Sequence, residues 1–291
     1  MAQGKNSIKQ IVIISGKGGT GKTMLSASFA VLAGSKVMVD CDVDAANLYL
    51  LLQPAVVRSE EFKGSSKAQV DKNVCVQCGQ CQSVCRFDAI TDDYAISTID
   101  CEGCGLCVRM CPVNAISMKE VISGEWFISD TQYGPFVHAK LGVAEGNSGK
   151  LVSLIRQAAV QIAEEQRKNM VIIDGPPGIG CPVIASLSGT DLAVVVTEPT
   201  PAGIHDMERI FSLARHFKIP LRIVINKFDL NLENSKFIDA FAGAHEIEVI
   251  GRIPFSAQVS KAIVQGVPPV EFCRDGVRQE IISIWEKLER I

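Results

Sequence analysis

Gln10-Ile11-Val12-Ile13-Ile14-Ser15-Gly16-Lys17-Gly18-Gly19-Thr20-Gly21-Lys22-Thr23 is the stretch that decides the fold. Ile11 to Ile14 is a β-branched run of the kind a buried strand takes, and Met24, Leu25, Phe29 and Leu32 then recur at helical spacing until Gly34. Between them, Gly16 to Thr23 satisfies G-x-x-x-x-G-K-[ST] in the strand-to-helix setting that gives this pattern its meaning. Glycines let backbone N–H groups turn inward on phosphates, and the start of the helix adds the positive end of its dipole. Lys22 is placed to reach the β- and γ-phosphates, and the Thr23 hydroxyl to bind magnesium. A merely flexible glycine turn is the plain alternative, and the setting stands against it.

Outward from this loop the chain keeps alternating. Lys36 to Asp40 reads as a second strand and Asp44 to Leu52 as a helix that Pro54 stops. Met170 to Asp174, Leu192 to Thr197, Leu221 to Ile225 and Val249 to Ile253 read as further strands. Leu151 to Arg167 and Asp275 to Ile291 carry helical periodicity, and Glu125 to Val137 reads as a hairpin turning near Tyr133-Gly134. Strands alternating with helices predict an α/β protein, a mostly parallel P-loop NTPase sheet with helices on both faces.

From Ser65 to Lys119 the texture changes. Eight of the 11 cysteines fall here in two runs, Cys75, Cys78, Cys81, Cys85 and Cys101, Cys104, Cys107, Cys111. Each member of the second lies 26 positions after its counterpart (101 − 75, 104 − 78, 107 − 81, 111 − 85). Both runs are C-x2-C-x2-C-x3-C, the spacing that wraps a loop around one iron–sulfur cube and sends its fourth thiolate to the other. The tails repeat too, as Ala89-Ile90 and Ala115-Ile116, whereas Pro112 after Cys111 is matched by Arg86 after Cys85. Zinc is the competing reading, but its ribbons use C-x2-C pairs four cysteines at a time. This stretch resembles a bacterial two-cluster ferredoxin. On that pattern Cys75, Cys78, Cys81 and Cys111 hold one 4Fe–4S cluster, and Cys85, Cys101, Cys104 and Cys107 the other. The expected organisation is a nucleotide-binding ATPase domain, 1–64 and 120–291, interrupted at 65–119 by a small ferredoxin-like α+β insert.

Lys17 is not required by the general phosphate-loop motif. With it, Lys17 to Thr23 reads KGGTGKT and resembles the loop of the MinD/ParA/Mrp deviant P-loop ATPases. The resemblance implies that Lys17 reaches across a face-to-face dimer to the partner's nucleotide. Asp40-Cys41-Asp42-Val43-Asp44 is similar to switch I of that family, implying that Asp42 orients the attacking water and Asn47 makes a downstream contact. Asp174-Gly175-Pro176-Pro177-Gly178 resembles Walker B and switch II, implying that Asp174 faces magnesium through water. Asn226-Lys227-Phe228-Asp229 also fits the NKxD pattern that reads guanine in GTPases, so GTP stays open as a substrate. In the adenine-binding relatives the residue matching Asn226 touches the base and the one matching Pro254 flanks it, so ATP is expected. Unlike Mrp-type cluster scaffolds, the chain carries no C-terminal C-x2-C.

Composition narrows the remaining choices. Among 291 residues, 29 basic against 32 acidic give a net charge of −3, which argues against an extended nucleic-acid surface. No apolar run approaches the ~20 residues that span a bilayer, and a cytoplasmic location is expected. In that compartment the cysteines read as metal ligands or free thiols. Three lie outside the runs: Cys41, Cys181 and Cys273. Cys181 is the one to test, because a switch II relative places a cluster ligand in its neighbourhood. His138, His205, His216 and His245 show no ligand spacing and read as surface or structural. Val277, Ile281, Ile284, Trp285 and Leu288 on the last helix read as core-facing and not as a membrane anchor, because Glu280, Glu286 and Glu289 share its polar face.

The expected protein is an ATP- and Mg2+-dependent ATPase carrying two 4Fe–4S clusters. It would act as a homodimer, or as a heterodimer with a paralogue, on a redox or cofactor-maturation partner. A positioning ATPase with a redox-sensing insert is the alternative.

Overall fold

The β-branched run before the glycine loop forms strand β1 (Lys9–Ser15), buried from Ile11 to Ser15, in a computed structural model that describes residues 8–142, 145 and 148–291. The other strands are β2 (Lys36–Asp40), β3 (Ala55–Phe62), β4 (Ser65–Val70), β5 (Ile116–Val121), β6 (Gly124–Thr131), β7 (Gly134–Leu141), β8 (Met170–Pro177), β9 (Leu192–Thr197), β10 (Leu221–Asn226) and β11 (Glu248–Ile253). The helices are α1 (Lys22–Leu32), α2 (Leu48–Leu52), α3 (Gln80–Val84), α4 (Leu106–Met110), α5 (Ser148–Glu165) and α6 (Cys181–Leu187). They continue with α7 (Pro201–His216), α8 (Leu232–Ala244), α9 (Ala257–Val264), α10 (Pro269–Phe272) and α11 (Gly276–Glu289).

The chain divides into two units, one holding residues 8–59, 126–140 and 148–291, the other 60–125 with 141, 142 and 145. The main sheet runs in the order β11-β10-β9-β1-β8-β2-β7-β6-β3. β1 pairs parallel with both β8 and β9, and β2 parallel with both β8 and β7, so the expected parallel sheet is present. Alternate residues of its central strands, among them Ile11, Ile13, Met38, Ile172 and Val194, meet α1 and α11 in one core cluster. Phe29 of α1 and Trp285 of α11 meet there as a tilted pair, 5.2 Å between ring centroids. The apolar stripe of α11 is therefore spent on the core. α5 buries Leu151, Val152, Ile155, Ala159 and Ile162. No helix among the described residues is long and apolar enough to cross a membrane.

Two local expectations change. The helix expected from Asp44 to Leu52 starts only at Leu48, because residues 41–47 are held in a loop. Ala55 to Phe62 forms β3, a strand the sequence reading left out, on an edge where five successive residues are exposed. His138 is a structural residue. Its ring lies between Phe127 and Phe136 at 4.9 and 4.7 Å, with the Ser129 hydroxyl 3.1 Å from Nε2. Burial lowers its pKa from 6.5 to about 4, so between those values the unfolded chain binds the proton and the folded one does not. Stability contributed here is present above pH 6.5 and lost as pH falls toward 4. His138→Gln is expected to flatten that part of the acid limb of the thermal midpoint against pH; an unchanged limb would assign it elsewhere.

Within the second unit, β4 and β5 pair antiparallel from Ser65↔Val121 to Val70↔Ile116. The sequence repeat is also a repeat of backbone conformation. α3 and α4 are displaced by 26 residues, and the left-handed residues Gln77, Gly79 and Asp88 recur as Gly103, Gly105 and Asn114. Hydrogen bonds are exchanged between copies in the same register: Asp71 N–H donates to Ala115 O at 2.7 Å and Ser97 N–H to Ala89 O at 2.8 Å. Each copy thus completes the other, a pseudo-two-fold arrangement within one chain.

Candidate functional site

The glycine loop between β1 and α1 is shaped by its neighbours. Gly21 stands at φ 97° at the start of α1, and a Cβ there would meet Asn226 Nδ2 at 2.4 Å. That amide donates to Thr20 O at 2.8 Å, so the loop is pinned to the end of β10. At Gly16 a Cβ would fall 2.0 Å from Asp206 Cβ. The loop borders a cavity of about 470 Å3 lined by Gly18, Gly19, Gly21, Lys22 and Thr23 on one side, and by Asp42, Ala45, Asn47 and Leu50 on another. Met24, Leu51, Pro177 and Ile263 complete it.

Charge is concentrated at the floor. Lys22 is 5% exposed, and Asp40 and Asp174, opposite one another on β2 and β8, are wholly buried. Burial raises the pKa of Asp174 to about 6, with Lys22 pulling it back down. Asp42 is raised by burial and lowered by Lys22 as well. Asp174 Oδ1 accepts from Ser26 Oγ at 2.8 Å, whereas Oδ2 is buried and without a hydrogen-bond partner, as is Thr20 Oγ1. A hard divalent cation takes oxygen ligands of this kind and would supply the charge that the buried carboxylates lack. The buried oxygens present therefore fit magnesium.

Lys17 makes contacts outside the cavity lining. Its Nζ lies 3.4 Å from Glu198 Oε2 and donates to Thr200 Oγ1 at 3.4 Å. Glu198 Oε1 also receives Lys227 Nζ at 2.5 Å. Sequence reasoning missed Glu198; its position directly after β9 was the available signal. Asn226 is the register partner of Ile253, the residue before Pro254, across the β10–β11 pair, and the cavity lining includes neither Asn226 nor Pro254. The two amide ends of Asn226 are used within the protein, by Thr20 O and by Lys227 N–H. Asp229 Oδ1 accepts from Phe255 N–H at 2.7 Å, so one of the two oxygens that a guanine reader needs is already engaged.

In the second unit the eight cysteines sort into two cavities. One is lined by Cys75, Cys78, Cys81 and Cys111 together with Val70, Tyr94 and Ile116. The other is lined by Cys85, Cys101, Cys104 and Cys107 together with Ala68, Phe87 and Ile96. Among the described residues no three metal-ligating side chains converge closely enough for a single ion, whose zinc–sulfur bonds would be ~2.3 Å. Gly79 and Gly105, at φ 79° and 72°, open α3 and α4 beside the cavities. Ala115 N–H donates to Cys111 Sγ at 3.2 Å. Of the other thiols, Cys41 and Cys273 are fully buried, and Cys181 is exposed at the start of α6.

An uncharacterized protein of Methanocaldococcus jannaschii, MJ0578, is 34% identical over 286 residues, 97% of each chain. The iron-sulfur cluster carrier protein of the same organism is 24% identical over 280 residues, 90% of this chain and 77% of that one. The crystal structure of the cell division ATPase MinD from Pyrococcus furiosus superposes with a TM-score of 0.60 at 18% identity, covering 97% of this chain and 99% of that one. The model of the CobQ/CobB/MinD/ParA nucleotide binding domain matches residues 11–270, and the chain belongs to that family.

Proposed function

We propose that this chain is an ATP-hydrolysing iron–sulfur protein that couples a nucleotide-switched dimer to electron transfer or to metal-cofactor maturation. The observation that carries the reading is the sorting of eight cysteines into two cavities, each built from three thiols of one run and the fourth of the other. That crossing is what a pair of 4Fe–4S cubes demands and what two mononuclear sites do not. Held there, the clusters would supply one-electron storage. The chain's own part is to present four thiolates to each, screen them with apolar walls and leave Cys78 and Cys104 exposed toward a partner. The insert bearing the runs, 65–119, is read as a two-cluster ferredoxin domain.

At the nucleotide, Lys22 and the glycine loop would bind the phosphates of ATP. Thr23 and Asp174 would hold Mg2+, Asp42 would align the water, and Asn226 and Pro254 would border the base. Lys17, held by Glu198 in the single chain, would exchange that carboxylate for the nucleotide of a second subunit, identical or paralogous. Similarity to an iron–sulfur cluster carrier supports the maturation branch. A cytoplasmic, redox-partnered ATPase without nucleic acid or membrane is the proposed setting.

The test is anaerobic purification followed by iron and sulfide analysis, with electron paramagnetic resonance of the reduced protein with and without Mg-ATP. About eight irons and eight sulfides per chain are expected, with a nucleotide-dependent signal. Zinc without sulfide would overturn the cluster reading. Spectra indifferent to Mg-ATP would leave the positioning ATPase with a redox-sensing insert as the better description.

A further inference from the structure

The cavity wall opposite the glycine loop is a short stretch of chain, Asp42 to Leu51, most of it without regular structure. Leu48 and Leu51 bury their side chains in the core, and one polar side chain holds the backbone of the stretch. Asp40, wholly buried at the end of β2, accepts the Asp42 N–H on Oδ1 at 3.0 Å and the Leu48 N–H on Oδ2 at 3.2 Å. Asn47, at the position where a helix is usually capped, makes no side-chain cap bond to α2. The Asp40 side chain does that work from the end of β2, its Oδ2 satisfying a helix-start N–H. Between the two grips the loop closes on itself, with Ala45 N–H donating to Asp42 O at 3.2 Å, and Leu50 N–H donates to Asn47 O at 3.2 Å in the first turn of α2. Cys41 N–H donates to Asp174 O at 2.8 Å, fixing the strand end from which the carboxylate is presented.

We propose that Asp40 is the positioning residue of the nucleotide site: one carboxylate grips both ends of the cavity wall and so sets Asp42 opposite Lys22. The proposal rests on the ATPase reading and deepens it. Two acceptors on one side chain are required, because both partners are N–H donors. Asparagine offers one acceptor oxygen and turns an NH2 group toward the other donor, breaking one grip at almost constant volume.

Asp40→Asn, Asp42→Asn and the double variant should be compared with the wild-type chain in steady-state ATP hydrolysis. Asp40→Asn is expected to lower kcat on the order of 10²-fold, with KM for Mg-ATP changed less than about threefold, since the phosphate cradle is untouched. Because Asp40 acts through Asp42, the double variant should hydrolyse no more slowly than Asp42→Asn alone. Additive losses, a rise in KM matching the fall in kcat, or wild-type turnover in Asp40→Asn would each overturn the proposal. Amide hydrogen exchange on the unsubstituted chain gives a reading that needs no variant. Slow exchange at Asp42 and Leu48 supports the double grip, and fast exchange at both overturns it. A wild-type chain that binds Mg-ATP without hydrolysing it would sink the ATPase reading instead, and the exchange measurement would still decide whether Asp40 holds the wall.

Discussion

Cys111→Ala is expected to lower the iron content from about eight to about four atoms per chain and to empty the site formed by Cys75, Cys78 and Cys81, not the site of its own run. Cys111 lies in the same cavity as the first three cysteines of the first run, while Cys101, Cys104 and Cys107 surround the other with Cys85. A cube left with three thiolates exposes one iron and is lost in air, whereas its neighbour keeps all four ligands. Pairs of substitutions separate the crossed arrangement from an uncrossed one. With Cys78→Ala added, the count should stay near four, because both changes strike one site. With Cys104→Ala added, it should fall toward zero, because the two changes strike different sites. The opposite pattern would mean that each run serves its own cluster, and the proposed sorting would be wrong. Ala115 N–H donates to Cys111 Sγ, so a backbone bond already orients that sulfur within the cavity.

The reason the crossing could be expected from spacing, yet not established by it, lies in the duplication. Spacing gives two runs and the short loops around them. It does not say which end of one copy lies beside which end of the other. That depends on the reciprocal bonds of Asp71 with Ala115 and Ser97 with Ala89, which join the start of each copy to the end of the other. The parallel sheet was easier to read. β1, β2, β8 and β9 are buried on both faces, so their apolar runs are uninterrupted. β3 escaped for the converse reason: Val56-Val57-Arg58-Ser59-Glu60-Glu61 has no alternating apolar face, and its place on the sheet edge asks for none.

Local rules also failed where tertiary contacts replace them. Asp44 to Asn47 has a plausible helical composition, but the Asp40 carboxylate captures the Leu48 N–H and delays the helix to that residue. Nothing near Leu48 in sequence announces a cap eight residues upstream. Glu198 was hidden in the same way, as a single acidic residue whose two lysine partners, Lys17 and Lys227, come from other loops. What spacing conveyed well were groups that act on a ligand. What it conveyed poorly were groups that hold those groups still.

Lys22→Met should be the most damaging single change at the nucleotide site, with kcat/KM for ATP lowered at least on the order of 10²-fold. Lys22 is the cation that pulls down the pKa of both Asp42 and Asp174, and it is almost wholly buried, so solvent cannot replace its charge. Methionine keeps much of the volume and the apolar stem while deleting the ammonium. A second effect should follow on stability. Burial raises Asp174 to about 6 against its ordinary 3.8, so between those values the folded chain holds a proton that the unfolded chain has released. Stability therefore falls as pH rises through that window. Removing Lys22 takes away the attraction that restrains the shift and moves the upper limit of the window higher. In the absence of magnesium, the thermal midpoint of Lys22→Met should drop more steeply than that of the wild type between pH 6 and 8. Added Mg2+ should recover part of the difference, because the cation supplies charge against the same carboxylates. Hydrolysis within threefold of wild type would show that phosphate binding does not run through Lys22. A midpoint with unchanged pH dependence would show that Lys22 does not neutralise the buried aspartates.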